Sequence, residues 1–310
     1  MNDNCCMEKL PKIINIELTN RCNIACLYCA HKFMKRKPAD MTREVIDCCM
    51  DRAKEAGIRQ VSLNTIGETL IAKELGYALR ACTQNGLLSL LSTNGQALTE
   101  PMAKMLIENK LSIFRFSVNA IDKEKYERLH CGASFDVLLH NALMLKALRN
   151  KSNSNMRIRV RMVLTDSSQP IDEYKKFWDT FADDVEFVFF GNMGGRNGKA
   201  PSSNGPRTAC LTMKRGINIT VNGDVTYCPC DFDAECIVGN IKENSFQEIW
   251  EGERFSKVRQ AHNEHDFSEL QKCNYCDATH IDWYQKKKPS VTNKEAEIMD
   301  SYLTNWRNLQ

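Results

Sequence analysis

As far as Phe190, the chain alternates between short segments with the two-residue period of β-strands and longer segments with helical periodicity. Strands are predicted at about 13–18, 60–64, 88–92, 112–118, 157–164 and 185–190. Helices are predicted at about 42–56, 72–84, 100–109, 135–149 and 171–181. Six strands separated by helices imply right-handed crossovers and a parallel sheet. The sequence therefore predicts an α/β fold, a partial (β/α)6 barrel, with its chemistry at the carboxyl ends of the strands.

The pattern changes after Phe190. The segment 191–207 holds five glycines, two prolines and two serines, which is typical of a linker or an active-site loop. Two short apolar runs, 217–221 and 225–227, then flank Asn-Gly-Asp and predict a hairpin. Helical patterns follow at 245–261 and 294–308. We expect four parts: a core (1–195), a loop (196–209), a small hairpin-plus-helix cysteine module (210–285) and a C-terminal helix (286–310).

The chain has 15 cysteines, and several of them stand in pairs at metal-ligand spacing. A disulfide framework suits short exported chains, but this chain is long and begins without the apolar core of a signal peptide. It also lacks the roughly 18–20 consecutive apolar residues that span a bilayer. We therefore expect a cytoplasmic protein whose cysteines serve metal or redox chemistry. A net charge of only +3 predicts neither a nucleic-acid nor a membrane partner.

Three cysteines directly follow the first predicted strand: Cys22, Cys26 and Cys29. Three thiolates can bind three irons of a [4Fe–4S] cubane and leave the fourth iron open for a substrate or cofactor. Structural zinc is the alternative, but it requires four closed ligands, and His31 is the nearest candidate for the fourth.

Together with Tyr28, these cysteines match the CxxxCxΦC motif, in which Φ is aromatic, and over residues 12–195 the chain resembles the radical SAM superfamily. The resemblance implies that the amino and carboxylate groups of S-adenosylmethionine (SAM) bind the open iron. Reductive cleavage of SAM then yields a 5′-deoxyadenosyl radical that abstracts hydrogen from carbon.

Further positions resemble the family's SAM-binding residues. Gly67 and Glu68 follow the second strand, where the family has a Gly-Gly-Glu run that binds the SAM amino group, although Ile66 replaces one glycine. Ser117 and Asn119 end the fourth strand, where the family places polar groups that bind the ribose and carboxylate. An ordinary strand-to-helix turn is the alternative for the first pair, and capping or turn hydrogen bonds are the alternative for the second.

In the fifth predicted strand, Arg157, Arg159 and Arg161 alternate with apolar residues, so the two sets face opposite ways. If the apolar set packs on helices, the arginines line the barrel, and Arg161 can bind a carboxylate of SAM or of the substrate. In the reverse register, the arginines face solvent.

A second constellation consists of Cys210, Cys228, Cys273 and Cys276. Four thiolates can fully ligate a [4Fe–4S] cluster or a zinc ion. With Gly223 a short distance before Cys228, the run resembles the SPASM/twitch modules of radical SAM enzymes. A full SPASM module carries further cysteines for a second cluster, but no cysteine follows Cys276. The resemblance therefore implies one auxiliary [4Fe–4S] cluster.

Two further cysteines, Cys230 and Cys236, allow three interpretations: buried small apolar side chains, substitute ligands, or a catalytic thiol that donates hydrogen to a substrate radical. We assign no function to the remaining six, which are Cys5, Cys6, Cys48, Cys49, Cys82 and Cys131.

The resemblance to short twitch-bearing enzymes implies oxidation or epimerisation at a carbon of a sugar, cyclitol or aminoglycoside-like precursor. A flavodoxin or ferredoxin is the expected electron donor, and Arg196 is a candidate for holding a substrate hydroxyl or phosphate. One alternative is a maturase that modifies a ribosomal peptide or a protein side chain. Because only a short segment precedes Cys22, we expect no peptide-binding domain of the kind that such maturases often carry, which argues against a peptide without excluding it. The other alternative is a non-catalytic metal-binding protein.

Overall fold

A computed structural model describes residues 10, 13–164, 170–189, 191–196, 205–210, 213 and 216–280. Several predictions lie outside these residues: the helix at 294–308, most of the proposed loop, and Cys5 and Cys6. Among the described helices, none is long and apolar enough to cross a membrane.

The described residues form eleven strands. In chain order these are β1 (Ile13–Ile16), β2 (Ala25–Cys26), β3 (Gln60–Ser62), β4 (Leu88–Thr93), β5 (Ile113–Ser117), β6 (His130–Cys131), β7 (Arg157–Leu164), β8 (Asp184–Phe189), β9 (Gly216–Ile219), β10 (Asp224–Thr226) and β11 (Ile237–Asn240).

Nine α-helices accompany these strands within the described residues. They are α1 (Arg43–Glu55), α2 (Leu75–Gln84), α3 (Glu100–Glu108), α4 (Lys123–Leu129), α5 (Phe135–Lys151), α6 (Ile171–Trp178), α7 (Phe246–Glu251), α8 (Glu253–Glu264) and α9 (Gln271–Asn274). Short 3₁₀ turns occur at Ala30–Phe33, Thr69–Ile71, Met193–Gly195 and Asp277–Thr279.

Six strands pair in parallel in the order β1-β3-β4-β5-β7-β8, so neighbours in the sheet follow one another through the chain. These are the six strands that the sequence predicts, and the α/β fold is confirmed. The carboxyl ends of all six meet at one edge, and that edge carries the loops with the predicted site residues.

The C-terminal hairpin continues this sheet instead of standing apart from it. Strand β9 pairs in parallel with β1, with Ile217 opposite Ile14, and β10 and β11 follow in antiparallel pairing. The predicted turn is present, and Gly223 has a φ of +89°. No pattern in the sequence indicated that the hairpin pairs with β1. That pairing satisfies backbone groups that an open sheet edge would leave unpaired.

Most helices begin where a side chain caps the first turn. Thr42, Thr99, Asp122 and Ser134 each accept a hydrogen bond from a backbone N–H three residues later. Two elements differ from the predictions. Helix α4 was not expected, and the single helix predicted at 245–261 is divided by Gly252, whose extended backbone ends α7 and begins α8.

The two faces of the sheet differ in character. Alternate residues, among them Ile14, Phe114 and Ile158, are fully buried in one apolar core with the helices. The residues between them face the other way and include polar side chains such as Arg115 and Arg159. The register of β7 is therefore the one in which its arginines line the interior of the partial barrel.

A buried ion pair joins the loop after the first cysteines to the C-terminal module. The two terminal nitrogens of Arg36 donate to the carboxylate of Glu17 at 2.8 and 2.7 Å. Arg36 Nε donates to the carbonyl oxygen of Phe232 at 2.5 Å, and the Lys35 N–H donates to Asp233 Oδ1 at 2.6 Å. Because Glu17 is only 3% exposed, its charge depends on Arg36 for compensation.

We expect Arg36→Ala to lower the free energy of unfolding by about 3 kcal/mol, because it leaves the Glu17 carboxylate buried without its charge partner. Arg43→Ala is the matched control. Arg43 pairs with Glu74 but is largely exposed, so its loss should lower the free energy of unfolding much less than the loss of Arg36. Urea unfolding of both variants checks the prediction, and equal losses would contradict it.

Candidate active site

The first three cysteines lie on one loop after β1, and each is partly exposed. The Cys29 N–H donates to the carbonyl oxygen of Cys26 at 3.1 Å, and the His31 N–H donates to Cys29 Sγ at 3.4 Å. Burial raises the pKa of Cys22 and Cys29, and it raises the pKa of Cys26 to about 12. The thiols are therefore protonated without a metal, and binding iron must release these protons.

The donor set fits an iron–sulfur cluster better than a single zinc ion. His31, the proposed fourth zinc ligand, has its Nε2 2.8 Å from the carbonyl oxygen of Asn20. Among the residues that the structure describes, no three His, Cys, Asp or Glu side chains are close enough to hold one ion. In a cubane each thiolate binds a different iron, so the sulfurs can lie further apart.

Gly67 and Glu68 lie beside this loop. The Glu68 N–H donates to the Arg21 carbonyl oxygen at 2.7 Å, and the charge of Glu68 contributes to the raised pKa of Cys22. Its two carboxylate oxygens accept the N–H groups of Leu70 and Asn94 at 2.9 and 2.8 Å. The carboxylate is thus fixed beside the cysteine loop, where its oxygens can also accept hydrogen bonds from an ammonium group.

Ser117 and Asn119 stand at the carboxyl end of β5. Ser117 is partly exposed, whereas Asn119 is only 5% exposed. Asn119 Oδ1 accepts the Val163 N–H at 2.8 Å, which joins β5 to β7. A structural hydrogen bond, the alternative considered for Asn119, is therefore present.

The interior arginines surround one acid. The distance to a carboxylate oxygen of Glu186 is 2.8 Å from Arg161 Nη2, 3.1 Å from Arg159 Nη1 and 3.6 Å from Arg115 Nη1. Burial disfavours the ionised form of Glu186, but the charges of Arg161, Arg115 and Arg159 outweigh it and lower the pKa. Asp184 is the second acid on this face and pairs with Arg159 at 3.1 Å. Arg161 thus lines the interior, which is the first of the two registers considered, and it is already paired with Glu186.

The second cysteine set also converges. The charges of Cys228, Cys210 and Cys276 all act on Cys273, although Cys210 and Cys228 precede it by several secondary-structure elements. Burial raises the pKa of Cys273, and it raises the pKa of Cys276 to about 12. The hairpin carries Cys228, and the end of α9 carries Cys273.

Cys230 and Cys236 lie in the same region. A hydrogen bond with Cys230, assisted by the charge of Arg196, lowers the pKa of Cys228, while the pKa of Cys230 is raised. Arg196 donates to Cys236 Sγ at 3.4 Å and to Cys228 Sγ at 3.7 Å. Both extra cysteines are therefore neighbours of the second set.

Arg196 does not project toward solvent as a substrate-binding group. Its side chain is only 9% exposed and lies 3.5 Å from Asp231, which is fully buried. Asp231 in turn accepts the N–H of Cys236 at 2.7 Å. The proposed contact of Arg196 with a substrate hydroxyl or phosphate is therefore replaced by contacts with cysteine sulfurs and this acid.

Known families match both parts of the chain. The radical SAM superfamily model matches residues 16–160, and an iron–sulfur cluster-binding domain, SPASM, matches residues 210–277. The chain belongs to the radical SAM superfamily. It is a radical SAM enzyme, which uses SAM with a [4Fe–4S] cluster, and its SPASM domain implies auxiliary iron–sulfur binding.

Curated relatives of this radical SAM enzyme act on different substrates. The S-adenosyl-L-methionine-dependent 2-deoxy-scyllo-inosamine dehydrogenase of Niallia circulans is 22% identical, over 87% of this chain and 94% of that protein. The PqqA peptide cyclase of Granulibacter bethesdensis is 27% identical, over 38% of this chain and 32% of that protein. Of these two matches, the first spans nearly the whole of both chains.

Solved structures share the fold of the radical SAM enzyme. BtrN in complex with AdoMet and 2-DOIA has a TM-score of 0.62 and 21% identity, covering 87% of this chain and 94% of BtrN. Streptococcus suis SuiB bound to the precursor peptide SuiA has a TM-score of 0.66 and 16% identity, covering 87% of this chain and 70% of SuiB. Native anSMEcpe with bound AdoMet has a TM-score of 0.65 and 16% identity, covering 92% of this chain and 99% of anSMEcpe.

Sequence reasoning missed two residues of these sites. Asp231 holds Arg196 beside the second cysteine set, and His130 Nδ1 lies 3.4 Å from Cys26 Sγ. Burial lowers the pKa of His130 to about 4, so its imidazole is neutral at pH 7. Neither residue stands in a motif, and a lone acid or histidine gives no periodic signal.

We expect Gly67→Ala to weaken SAM binding about tenfold or more. Gly67 has a φ of +88°, and an added Cβ would lie 2.5 Å from the Thr19 carbonyl oxygen and 2.8 Å from that of Arg21. Strain of this kind costs about 1–3 kcal/mol and must displace the loop. Calorimetric titration of the reconstituted enzyme with SAM measures the change.

Gly57→Ala is the control for Gly67→Ala. Gly57 also has a positive φ, +65°, but its added Cβ would meet nothing within 4 Å. Parental SAM affinity in both variants would show that the close packing of Gly67 plays no part in SAM binding.

Proposed function

We propose that this radical SAM enzyme oxidises a hydroxyl-bearing carbon of a small sugar, cyclitol or aminoglycoside-like molecule. The observation that carries the proposal is the second cysteine set, whose members act on one another within the module that pairs with β1, the strand before the first set. Support also comes from the dehydrogenase of Niallia circulans, whose match spans 94% of its length. Epimerisation at such a carbon is the alternative outcome of the same chemistry.

For the metal sites, we infer that Cys22, Cys26 and Cys29 hold the [4Fe–4S] cluster that binds SAM. We assign one auxiliary [4Fe–4S] cluster to the second set, which comprises Cys210, Cys228, Cys273 and Cys276. When bound, the first cluster and SAM supply the one-electron chemistry that removes a hydrogen atom from carbon.

The chain's own residues bind and orient SAM in this proposal. Glu68, fixed by two backbone N–H groups, accepts hydrogen bonds from the SAM amino group. Gly67 lets the backbone pass close to the cysteine loop, and Ser117 offers a hydroxyl at the carboxyl end of β5. Arg161 offers a positive charge to a carboxylate, because Glu186 alone does not neutralise the arginines around it.

The loop after β8 fixes the second cysteine set against the barrel. Asn192 and Asp277 exchange backbone-to-side-chain hydrogen bonds, both of 2.9 Å, although they lie far apart in the chain. Asn192 Nδ2 also donates to the Tyr275 carbonyl oxygen at 2.7 Å. This arrangement holds the Cys276 segment at the edge where we place the substrate.

The electron donor and the compartment belong to the same proposal. The 13 cysteines among the described residues form no disulfide, which suits a reducing compartment such as the cytoplasm. A flavodoxin or a ferredoxin is the donor class that we expect there.

A peptide or protein substrate is the second candidate. The structural match to SuiB bound to its precursor peptide favours it. Its support is weaker, because the sequence match to the PqqA peptide cyclase spans only 32% of that protein.

We expect Cys210→Ala to abolish substrate oxidation but to preserve formation of 5′-deoxyadenosine with dithionite and SAM. Loss of one ligand of the auxiliary cluster should lower the iron content from about eight to about four per chain. Cys48→Ala, on helix α1, should retain both clusters. If the parent yields no 5′-deoxyadenosine, the chain is a non-catalytic metal protein and the proposed function is wrong.

Turnover in heavy water distinguishes the two reactions. A dehydrogenase product lacks two hydrogens, whereas an epimerised product carries one deuterium at the inverted carbon. For epimerisation, we expect Cys230→Ala or Cys236→Ala to abolish turnover, because a thiol must donate the hydrogen. Mass spectrometry of products from candidate cyclitols, sugars and peptides decides, and deuterated product from both variants would rule out these donors.

A further inference from the structure

One histidine is placed against a cysteine of the first set by a short strand pairing. Strands β2 and β6 pair antiparallel, with Cys26 opposite His130 and Ala25 opposite Cys131. The Leu27 N–H extends this pairing by donating to the Leu129 carbonyl oxygen at 3.0 Å. Because the register is fixed by backbone hydrogen bonds, the distance of 3.4 Å between His130 Nδ1 and Cys26 Sγ follows from the fold.

The imidazole is held rigidly in this position. His130 is only 1% exposed, and the ring of Tyr126 stacks on it with centroids 4.5 Å apart and an interplanar angle of 20°. The Tyr28 hydroxyl lies 3.2 Å from Nε2 and 3.3 Å from Nδ1. A side chain fixed in this way gives a hydrogen bond of defined direction.

The direction of that hydrogen bond follows from the chemistry of a ligating thiolate. A thiolate has no proton and can only accept, so the nearby Nδ1 must carry the hydrogen. Nε2 of the neutral imidazole is then the nitrogen without a hydrogen.

The three cysteines of the first set differ in their donors. Cys22 Sγ accepts from the backbone N–H groups of Ile24 and Asn23, and Cys29 Sγ accepts from that of His31. Cys26 has side-chain donors, His130 and Tyr28. A side-chain donor can be exchanged by mutation without altering the loop backbone.

We propose that His130 is a positioning residue that donates a hydrogen bond to Cys26 Sγ and thereby raises the reduction potential of the cluster bound there. The inference rests on the proposed ligand role of Cys26. Reduction adds one electron to the cluster and its thiolates, and a hydrogen bond stabilises the more negative state more strongly. The donor therefore favours the electron uptake that must precede SAM cleavage.

The test is a redox titration of the holoenzyme followed by electron paramagnetic resonance. The first cluster is identified as the one whose signal changes when SAM is added. His130→Phe keeps a ring against Tyr126 but removes the donor. We expect the equilibrium constant for one-electron reduction to fall about tenfold, which corresponds to a potential about 59 mV lower.

Two variants complete the comparison. His130→Asn carries its N–H donor at the position of Nδ1, so its potential should be close to that of the parent. Its equilibrium constant for one-electron reduction should stay within about threefold of the parental constant, which is less than the about tenfold change expected for His130→Phe. Tyr126→Phe keeps the stacking and changes only a hydroxyl that lies 3.4 Å from Gln96 Nε2, so its potential should match the parent. A merely structural role of His130 would not separate the Asn variant from the Phe variant.

A parental potential in His130→Phe overturns the inference. If His130→Phe does not assemble the first cluster, His130→Gln is measured in its place, because the N–H donor of glutamine lies at the ε position and not at the δ position. A lowered potential in His130→Gln supports the inference, and a parental potential overturns it. If the parent itself shows no cluster that responds to SAM, the ligand assignment fails instead.

Discussion

The carboxylate of Glu17 holds together the parts of the chain that form the site. Glu17 follows β1 directly. Its carboxylate accepts hydrogen bonds from both terminal nitrogens of Arg36, from the hydroxyl of Thr65 at 3.1 Å and from the N–H of Val221 at 3.2 Å. These partners come from the loop after the first cysteines, the loop after β3 and the C-terminal hairpin. A buried charge is stable only with such compensation, so the three segments are fixed relative to one another.

Both cysteine sets use the same physical device. In each, a buried donor lies beside a sulfur: His130 beside Cys26, and Arg196 beside Cys228 and Cys236. A neutral imidazole and a charged guanidinium affect a thiolate to different degrees, because charge-assisted hydrogen bonds are stronger. The charge of Arg196 adds to the hydrogen bond with Cys230 in lowering the pKa of Cys228. The two centres are thus placed in different electrostatic surroundings within one sheet.

Much of the fold was predictable because it depends on local periodicity and capping. The strand at Arg157–Leu164 was predicted with its observed bounds, and its register follows from the burial of Ile158. The pairing of β9 with β1 was not predictable, because Ile217 and Ile14 lie near opposite ends of the chain and parallel pairing leaves no signal at such a separation. Helix α4 was missed because it is short and mostly charged and shows little apolar periodicity.

The sequence by itself determined the family, through the spacing of Cys22, Cys26 and Cys29, and the order of the six strands, since both are written in consecutive residues. Only the tertiary structure decided what surrounds the sulfurs. Arg196 was expected at a substrate and lies against Cys236, and His130 carried no expectation and lies against Cys26. The physical reason is that such contacts depend on how distant segments pack in three dimensions, and side-chain chemistry alone does not specify that packing.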